Sequence, residues 1–481
     1  ARAAIGGRRS LGAGLIPSRQ WATCALLLLA LAGCTVGPDY RPPVVPLPET
    51  WSEAPTAARA DPSQELAEWW TRFDDAELTA LVGRAVRNNR NLAEAEARVT
   101  EARALRGVAA ADLWPTLDAA AGGLVTSGNY PQLFFGALDS IWEVDVFGGI
   151  RRSVEAADAD VQVSIEQRRA VLLFVVGAVA ATYVELRGFE AQIDTVRQNL
   201  AAQQATRELT VAQRDAGLAS DLDVERARAL VATTAAELPP LQFAQQASVH
   251  RLGVLLGESP SALAGELRTD APIPSAPVEV VVGVPAELLR RRPDLGRAER
   301  ELAAATARVG EAIADLYPRF TLTGSVGLRS EEVKDLLKGA SGFAAIGPNV
   351  VWPIFAGGRI ISNIEAQDAR SAAALARYEQ TVLDALEQVE NALVRYAQEQ
   401  VRRRELTEAV DANREAAAMA RRLYANGLIE FLDVLVAERS LLESESRLVA
   451  SETAVSSSLV VLYVSLGGGW PAAETIELSM Q

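Results

Sequence analysis

The chain contains an internal repeat, because three short phrases recur in the same order in its second half. The separations are 203, 209 and 210 residues, so the two halves are copies of one structural unit. The matched phrases are ADLWP (111–115) with ADLYP (314–318), DVFGGIRR (from 145) with IFAGGRII (from 354), and DAGLASDLDVE (215–225) with ANGLIEFLDVL (425–435).

Each copy contains one segment whose length differs between the copies and one whose length is nearly the same in both. In the first copy, 33 residues separate Pro115 from Gly148, and a further 69 separate Gly148 from Gly217. The equivalent intervals in the second copy are 39 and 70 residues. The first interval therefore tolerates insertion as a loop does, whereas the second is nearly fixed.

The segment of constant length has the composition of a long helix. No proline occurs within 132–238 or 354–470, where good helix formers predominate. At ~1.5 Å per residue, such a segment predicts a helix of about 100 Å, although a coiled-coil spacer would have the same length. The uncharged stretch 170–184 is shorter than the ~20 residues of a spanning helix and is interpreted as buried packing. Apolar residues at helical spacing in the second copy are Leu375, Tyr378, Val382, Leu386, Val389, Leu393 and Tyr396.

A different pattern precedes each predicted long helix. Residues 320–329 alternate apolar with small or polar side chains over about the length of a tilted membrane strand. Returning strands are predicted within 342–355 and 134–147, where Trp142 faces away from Glu143. Carboxylates on one face and tryptophan on the other suit a polar lumen within lipid. A half-buried soluble sheet would alternate in the same way.

Two hairpins give the chain four strands, and this number requires more than one copy in a membrane. Open strand edges cannot remain unpaired in hydrocarbon, and closed membrane barrels begin at about eight strands. Two chains would supply eight strands and three would supply twelve. Only a wide barrel leaves an aqueous passage.

The N-terminus has the order of a secretory signal. Arginines precede an apolar run and then small residues up to Cys34, so 1–33 is predicted to be a signal peptide. Leu31-Ala32-Gly33-Cys34 resembles the lipobox of bacterial lipoproteins, which predicts Cys34 as the acylated first residue of the mature chain. Thr35 follows it rather than Asp, which favours outer-membrane delivery. An ordinary signal that happens to contain a cysteine would show the same order.

Composition excludes several classes of function. Four of the 47 basic residues and none of the 62 acidic ones lie in 1–33, so the remainder has a net charge of −19 and would repel nucleic acid. One histidine, His250, and two cysteines leave no set of His/Cys metal ligands. A paired nucleophile and base is not recognisable either, so neither an enzyme nor a cofactor is predicted, apart from the covalent lipid on Cys34.

Four further stretches occur in order along the chain: CTVGPDYRPP from Cys34, WWTRFDDAELTALVGRAVRNNRNLAEAEARVTEARA from Trp69, VPAELLRRRPDLGRAERELAAATARVGEAIADLYP from Val284, and LYVSLGGGW ending at Trp470. Together with the repeat, they resemble the TolC-type outer-membrane factor family, in its NodT-like lipoprotein branch. The resemblance implies an α+β membrane protein with an internal two-fold sequence repeat. In it, three chains form a 12-stranded β-barrel, four strands per chain, continuous with a long periplasmic α-helical barrel.

The same resemblance implies function, partners and location. The homotrimer would be the lipid-anchored outer-membrane channel of a tripartite efflux system, reaching into the periplasm. It would receive drugs, metal ions or other small solutes from a periplasmic adaptor protein and an inner-membrane pump of the RND type or a related one. The alternative is a lipid-anchored periplasmic coiled-coil adaptor or scaffold, which would lack the two amphipathic hairpins.

The repeated phrase containing Gly217 and Gly427 is predicted to form the helix-hairpin tips, since glycine ends helices in the left-handed conformation. Ser220 and Asp223 resemble a capping box. The family has its periplasmic entrance at these tips, which implies gate residues at Asp223, Tyr424, Glu430, Asp433 and Val436. Val436 stands where the family often has Asp, and Ile429 where it can have Arg. Stabilisation of a helix N-terminus would also account for each acid.

Helix–strand junctions are predicted at Pro115, Pro318, Gly148, Gly149, Gly357 and Gly358. An ordinary helix stop would also explain the prolines.

The predicted segments are the signal peptide (1–33), a lipidated extended segment (34–73), a first-copy helix (74–115), β-hairpin 1 (116–147), first-copy long helices (148–260), a linker (261–285), a second-copy helix (286–318), β-hairpin 2 (319–356), second-copy long helices (357–470) and a C-terminal tail (471–481).

Overall fold

A computed structural model describes residues 35–52, 66–125, 132–267, 271–275, 285 and 291–469. The chain divides into two compact units. Of the described residues, 35–41, 103–125, 132–160 and 302–373 belong to the first unit, and the rest belong to the second. The predicted signal peptide, Cys34 and the C-terminal tail lie outside the described residues.

The described residues contain long helices and one sheet, in the order predicted from the repeat. The helices are α1 (Ala76–Asn88), α2 (Arg90–Ala111), α3 (Gly149–Asp215), α4 (Asp221–Ala235), α5 (Leu238–Leu255), α6 (Pro293–Ala314), α7 (Arg359–Ala425) and α8 (Phe431–Ser465). The strands are β1 (Thr116–Leu124), β2 (Leu133–Val144), β3 (Arg319–Ser330) and β4 (Gly342–Val351), and short 3-10 turns occur at Trp69–Phe73, Val333–Asp335 and Gly339–Ser341.

The sheet of the first unit is antiparallel, in the order β1-β2-β3-β4, so the hairpins of the two copies join at β2 and β3. Its register gives the two faces opposite character, because directly paired residues share a face. Trp142, Leu322 and Pro348 form one row of the first face. The neighbouring row, on the second face, is Glu143, Thr321 and Asn349. The alternation predicted from the sequence is thus present in three dimensions.

The predicted helix 74–115 is divided in two at Asn89. This residue has an extended backbone, φ −62° and ψ 130°, and its side-chain oxygen accepts from the N–H groups of Asn91 and Leu92. Its amide also donates to Leu255 O at 2.7 Å. Asn89 therefore caps α2 and ties the break to α5, whereas the prediction was a single helix over 74–115.

The core of the second unit includes the apolar stretch of α3. Val175, Val176, Val179 and Tyr183 have no exposed surface, which agrees with the expectation of buried packing. By length and composition alone, α3 and α8 could each span a membrane, with mean hydropathies of 1.8 and 1.5 over 18 residues.

Candidate functional site: the helix-hairpin tips

Each long helix of the repeat ends in the same glycine turn, in the second unit. Gly217 and Gly427 adopt left-handed backbones, with φ of 76° and 70°. The next residue, Leu218 or Leu428, donates its N–H to the carbonyl five positions earlier, at 2.8 and 3.0 Å. This is the Schellman arrangement, which satisfies the last carbonyls of a helix. The repeated phrase therefore forms a turn between two helices, α3–α4 in the first copy and α7–α8 in the second.

The two tips differ in how the following helix begins. Ser220 accepts from the N–H of Asp223 at 3.2 Å, and the Asp223 carboxylate accepts from Ser220 N–H at 3.2 Å and Oγ at 2.6 Å. The capping box predicted from the sequence is thus confirmed. Glu430 is the N-cap of α8 but makes no side-chain capping bond, so its carboxylate faces solvent.

Beneath the turns, the two hairpins share one apolar cluster. Tyr424 is 5% exposed, and its ring meets that of Phe431 edge-on at 5.6 Å. Because α4, α7 and α8 all contribute, a change in the spacing of the hairpins must disturb this cluster. Its buried members are Ala227, Leu230, Ala420, Tyr424, Phe431, Val434 and Leu435.

Hydrogen bonds from α3 fix the position of Tyr424. Its hydroxyl donates to Thr210 Oγ1 at 3.4 Å, and Gln213 Nε2 donates to its carbonyl at 3.2 Å. Burial raises the pKa of the Tyr424 phenol, and the carboxylate of Asp223 raises it further. The phenol is therefore neutral at physiological pH and acts as a hydrogen-bond donor and packing group.

Two polar rungs connect α3, α7 and α8 closer to the middle of the hairpins; we call these six residues the glutamate ladder. The Glu438 Oε1 atom accepts from Arg421 Nε at 2.8 Å and from Thr206 Oγ1 at 2.7 Å. Seven residues away on each helix, the carboxylate of Glu445 accepts from Arg414 at 3.0 Å and from Asn199 at 2.7 Å. The ladder was not predicted from the sequence, although its spacing of seven residues is the coiled-coil period.

The other predicted gate residues lie on the surface of α8 and its cap. Glu430 and Asp433 are exposed, and the side chain of Val436 is 56% exposed. Leu218 and Leu428, at the turns, are also exposed. The structure thus places Tyr424 in the packed cluster, with the Asp223 carboxylate near enough to act on its phenol, and leaves Glu430, Asp433 and Val436 facing outwards.

At the predicted junctions, which belong to the first unit, glycines take left-handed backbones at three of four positions. The φ values are 80° at Gly148, 60° at Gly357 and 85° at Gly358, whereas Gly149 is the first residue of α3. The carboxylate of Asp145 caps α3 by accepting from the N–H groups of Ile150 and Arg151.

An indole hydrogen bond marks the other side of each junction, just before Pro115 and Pro318. Trp142 Nε1 donates to Leu113 O, and Trp352 Nε1 donates to Leu316 O, both at 3.0 Å. One tryptophan in each copy therefore satisfies a carbonyl in the turn after α2 or α6, two residues beyond the end of the helix, which the sequence did not lead us to expect.

A two-faced four-stranded sheet, long helical hairpins and a repeated architecture define a class of outer-membrane channel proteins. The model of the outer membrane efflux protein family matches residues 81–258 and 284–468, and the chain belongs to this family. It is 31% identical to nodulation protein T of Rhizobium leguminosarum bv. trifolii, over 93% of this chain and 97% of that one. It is also 32% identical to the outer membrane protein OprJ of Pseudomonas aeruginosa, over 94% and 96%.

A solved structure of the outer-membrane channel OprN superposes with a TM-score of 0.84 at 36% identity, covering 91% of this chain and 100% of that one. The predicted family, fold class and function as an outer-membrane channel of tripartite efflux are thereby confirmed. Members of the family are transport ducts without enzymatic activity or cofactors. They are trimers that work with an adaptor and an inner-membrane pump, and they extend from the outer membrane into the periplasm.

Proposed function

We propose that three copies of this chain close their sheets into one 12-stranded barrel and form a passive exit duct for small solutes. The observation that carries this proposal is the two-faced sheet of the first unit, whose edge strands β1 and β4 have no partner among the described residues of the chain. Those edges would leave backbone groups unpaired in lipid, so β4 of one copy must pair with β1 of the next.

The character of the two faces supports this closure. Leu138 and Val326 are paired on the face that carries Trp142, and their side chains are 45% and 55% exposed in the single chain. On the other face, Asp118 is paired with Asp139. In a closed barrel the apolar face contacts lipid and the carboxylates line an aqueous lumen, so each face lies in an environment that matches its polarity.

The finer assignments belong to the same proposal. Acylation of Cys34 would anchor the mature chain in the outer membrane, and multiple acyl chains make such anchoring stable. A periplasmic adaptor and an inner-membrane pump would deliver solutes to the helix-hairpin tips. At these tips Asp223 and Tyr424 would hold the entrance closed, while Glu430, Asp433 and Val436 would determine the surface that a solute meets.

Reconstitution of the purified mature protein tests the duct. We expect a trimer by native mass spectrometry and discrete channel currents in planar lipid bilayers. A monomer, or a trimer without conductance even when the tip contacts are removed by Tyr424→Ala, would overturn the proposal. The adaptor or scaffold alternative predicts this second result.

A further inference from the structure

The first described residues of the chain occupy a site in the first unit that matches their backbone. We call residues 35–39 the N-terminal arm. The Val36 N–H donates to Phe147 O at 3.1 Å. Arg152, whose side chain is 4% exposed, donates to Val36 O at 3.2 Å, to Gly37 O at 3.3 Å and to the Asp39 carboxylate at 2.8 Å. A buried guanidinium requires partners for its donors, and the arm supplies three of them.

Close backbone approaches hold the arm at one position. Gly37 has φ +89°, and a Cβ atom there would lie 2.4 Å from the Cα of Gly310 in α6. A Cβ atom on Gly148 would lie 2.4 Å from Cγ2 of Thr35. Arg152 also lies close to Gly310, because a Cβ atom added to that glycine would lie 2.8 Å from the Nε atom of Arg152. Only glycines allow the arm, α6 and the start of α3 to meet so closely.

We propose that Arg152 and these glycines form a docking site for the N-terminal arm, and that this site positions the lipid-bearing end of the mature chain at the base of β-hairpin 1. The inference rests on the proposed acylation of Cys34. One peptide bond joins Cys34 to Thr35, the residue that contacts Gly148 at the start of α3. The ligand of the site is thus the chain's own N-terminus, and Arg152 is a positioning residue.

Docking changes what the lipid can do. On a flexible tether, the acyl chains could enter the membrane anywhere within the reach of the tether. A docked arm instead restricts them to lipid beside the first hairpin, which raises their effective concentration there. The anchor and the barrel then enter the bilayer in a fixed register.

Hydrogen–deuterium exchange on the full mature protein in nanodiscs tests the docking. Arg152→Ala should speed exchange at the Val36 amide about tenfold, because its hydrogen bond opens when the arm is released. Arg152→Lys should give an intermediate rate, since it keeps the charge but not the planar fork. Arg106→Ala, which removes an exposed pair with Asp158 in the same unit, should leave the rate unchanged. Equal rates in Arg152→Ala and wild-type protein would overturn the inference.

A substitution in the arm itself distinguishes release of the arm from misfolding at the start of α3, which Arg152→Ala could cause. Gly37→Ala should also release the arm, because its Cβ collides with α6 while the chemistry of Arg152 stays intact. Gly107→Ala is the matched control, since a Cβ there meets nothing within 4 Å. An unchanged Val36 rate in Gly37→Ala would count against the docking site.

Intact mass of the same samples separates this inference from the proposed lipid anchor. Wild-type protein that is protected at Val36 but carries no acyl mass would refute positioning of a lipid, while the site would remain a docking site for the arm. Acylated wild-type protein without protection at Val36 would refute the docking and leave the lipid anchor standing.

Discussion

Among single residues at the tips, Asp223 both caps a helix and interacts with neighbouring side chains. Asp223 completes a capping box, lies 3.5 Å from Arg226 and raises the pKa of Tyr424. Stabilisation of the helix N-terminus is therefore an established role of this residue, and its proposed role in the gate acts through the same geometry. Tyr424, in contrast, contributes mainly buried aromatic surface.

We predict that Tyr424→Ala raises the resting conductance of the reconstituted channel several-fold. The loss of a buried aromatic side chain costs about 3 to 5 kcal/mol, and here it falls on the cluster shared by both hairpins. Tyr424→Phe should stay close to wild type, because it loses only a hydrogen bond of 3.4 Å. Single-channel recording in planar bilayers measures the resting conductance of both variants. If the resting conductance of Tyr424→Ala equals that of wild type, Tyr424 is not part of the gate.

Asp223→Ala should raise resting conductance by a smaller factor, because loss of a cap costs about 1 kcal/mol. Asp221→Ala is the matched control, since Asp221 lies in the same helical turn with its side chain 88% exposed. Equal effects of the two substitutions in the same recordings would assign the change to surface charge instead of the capping box.

At the scale of elements, the glutamate ladder is the main polar connection among α3, α7 and α8. Glu438 is 1% exposed, and its carboxylate binds one group from each of the other two helices. Since both rungs follow the heptad spacing, the ladder sets the register of the helices as well as their attachment.

Glu438→Ala should lower the free energy of unfolding by about 1 to 3 kcal/mol, because it removes a buried charged acceptor that the Thr206 hydroxyl and the partly buried Arg421 guanidinium share. Glu443→Ala should cost less than about 0.5 kcal/mol, since its pair with Arg447 is well exposed. Thermal denaturation followed by circular dichroism compares the two. Equal losses would mean that the ladder contributes no more than a surface ion pair.

Sequence reasoning predicted the elements well where the signal was local. The two hairpins, the glycine turns and the capping box of Ser220 all follow from short patterns. The break at Asn89 was missed because the local cap, in which Asn89 accepts from Asn91 and Leu92, is reinforced by a tertiary bond to Leu255 O that the sequence does not reveal. The ladder was missed because many Arg and Glu residues on these helices could pair, and only the packing decides which of them do.

At the scale of the whole molecule, buried tyrosines dominate the alkaline titration of the second unit. Burial raises the phenol pKa of Tyr183, Tyr378, Tyr396 and Tyr424. The chain contains only two lysines, Lys334 and Lys338, so few other side chains titrate in that range. The folded state therefore retains tyrosine protons that the unfolded chain releases.

We predict that the melting temperature falls as the pH rises above about 10, the ordinary pKa of tyrosine. The direction of this change follows from linkage between protonation and folding. The tyrosines contribute their full stabilisation below the pKa of tyrosine in the unfolded chain, and this stabilisation is lost as the pH rises through the higher pKa values of the folded state. Tyr396→Phe should reduce the slope of this decline. A melting temperature that is the same at pH 8 and pH 11 would contradict the prediction.

The pairing of β2 with β3 has a consequence for the origin of the molecule. Within one chain it joins hairpins from two related halves, and the proposed closure joins β4 to β1 of the next chain by the same kind of seam. A half-length ancestor would have formed the barrel from six separate hairpins. Tandem duplication of its gene would thus have joined these hairpins covalently in pairs, at every second junction between neighbouring hairpins. Once linked, the halves were free to diverge, which accounts for one tip carrying a Ser220–Asp223 cap and the other an uncapped Glu430.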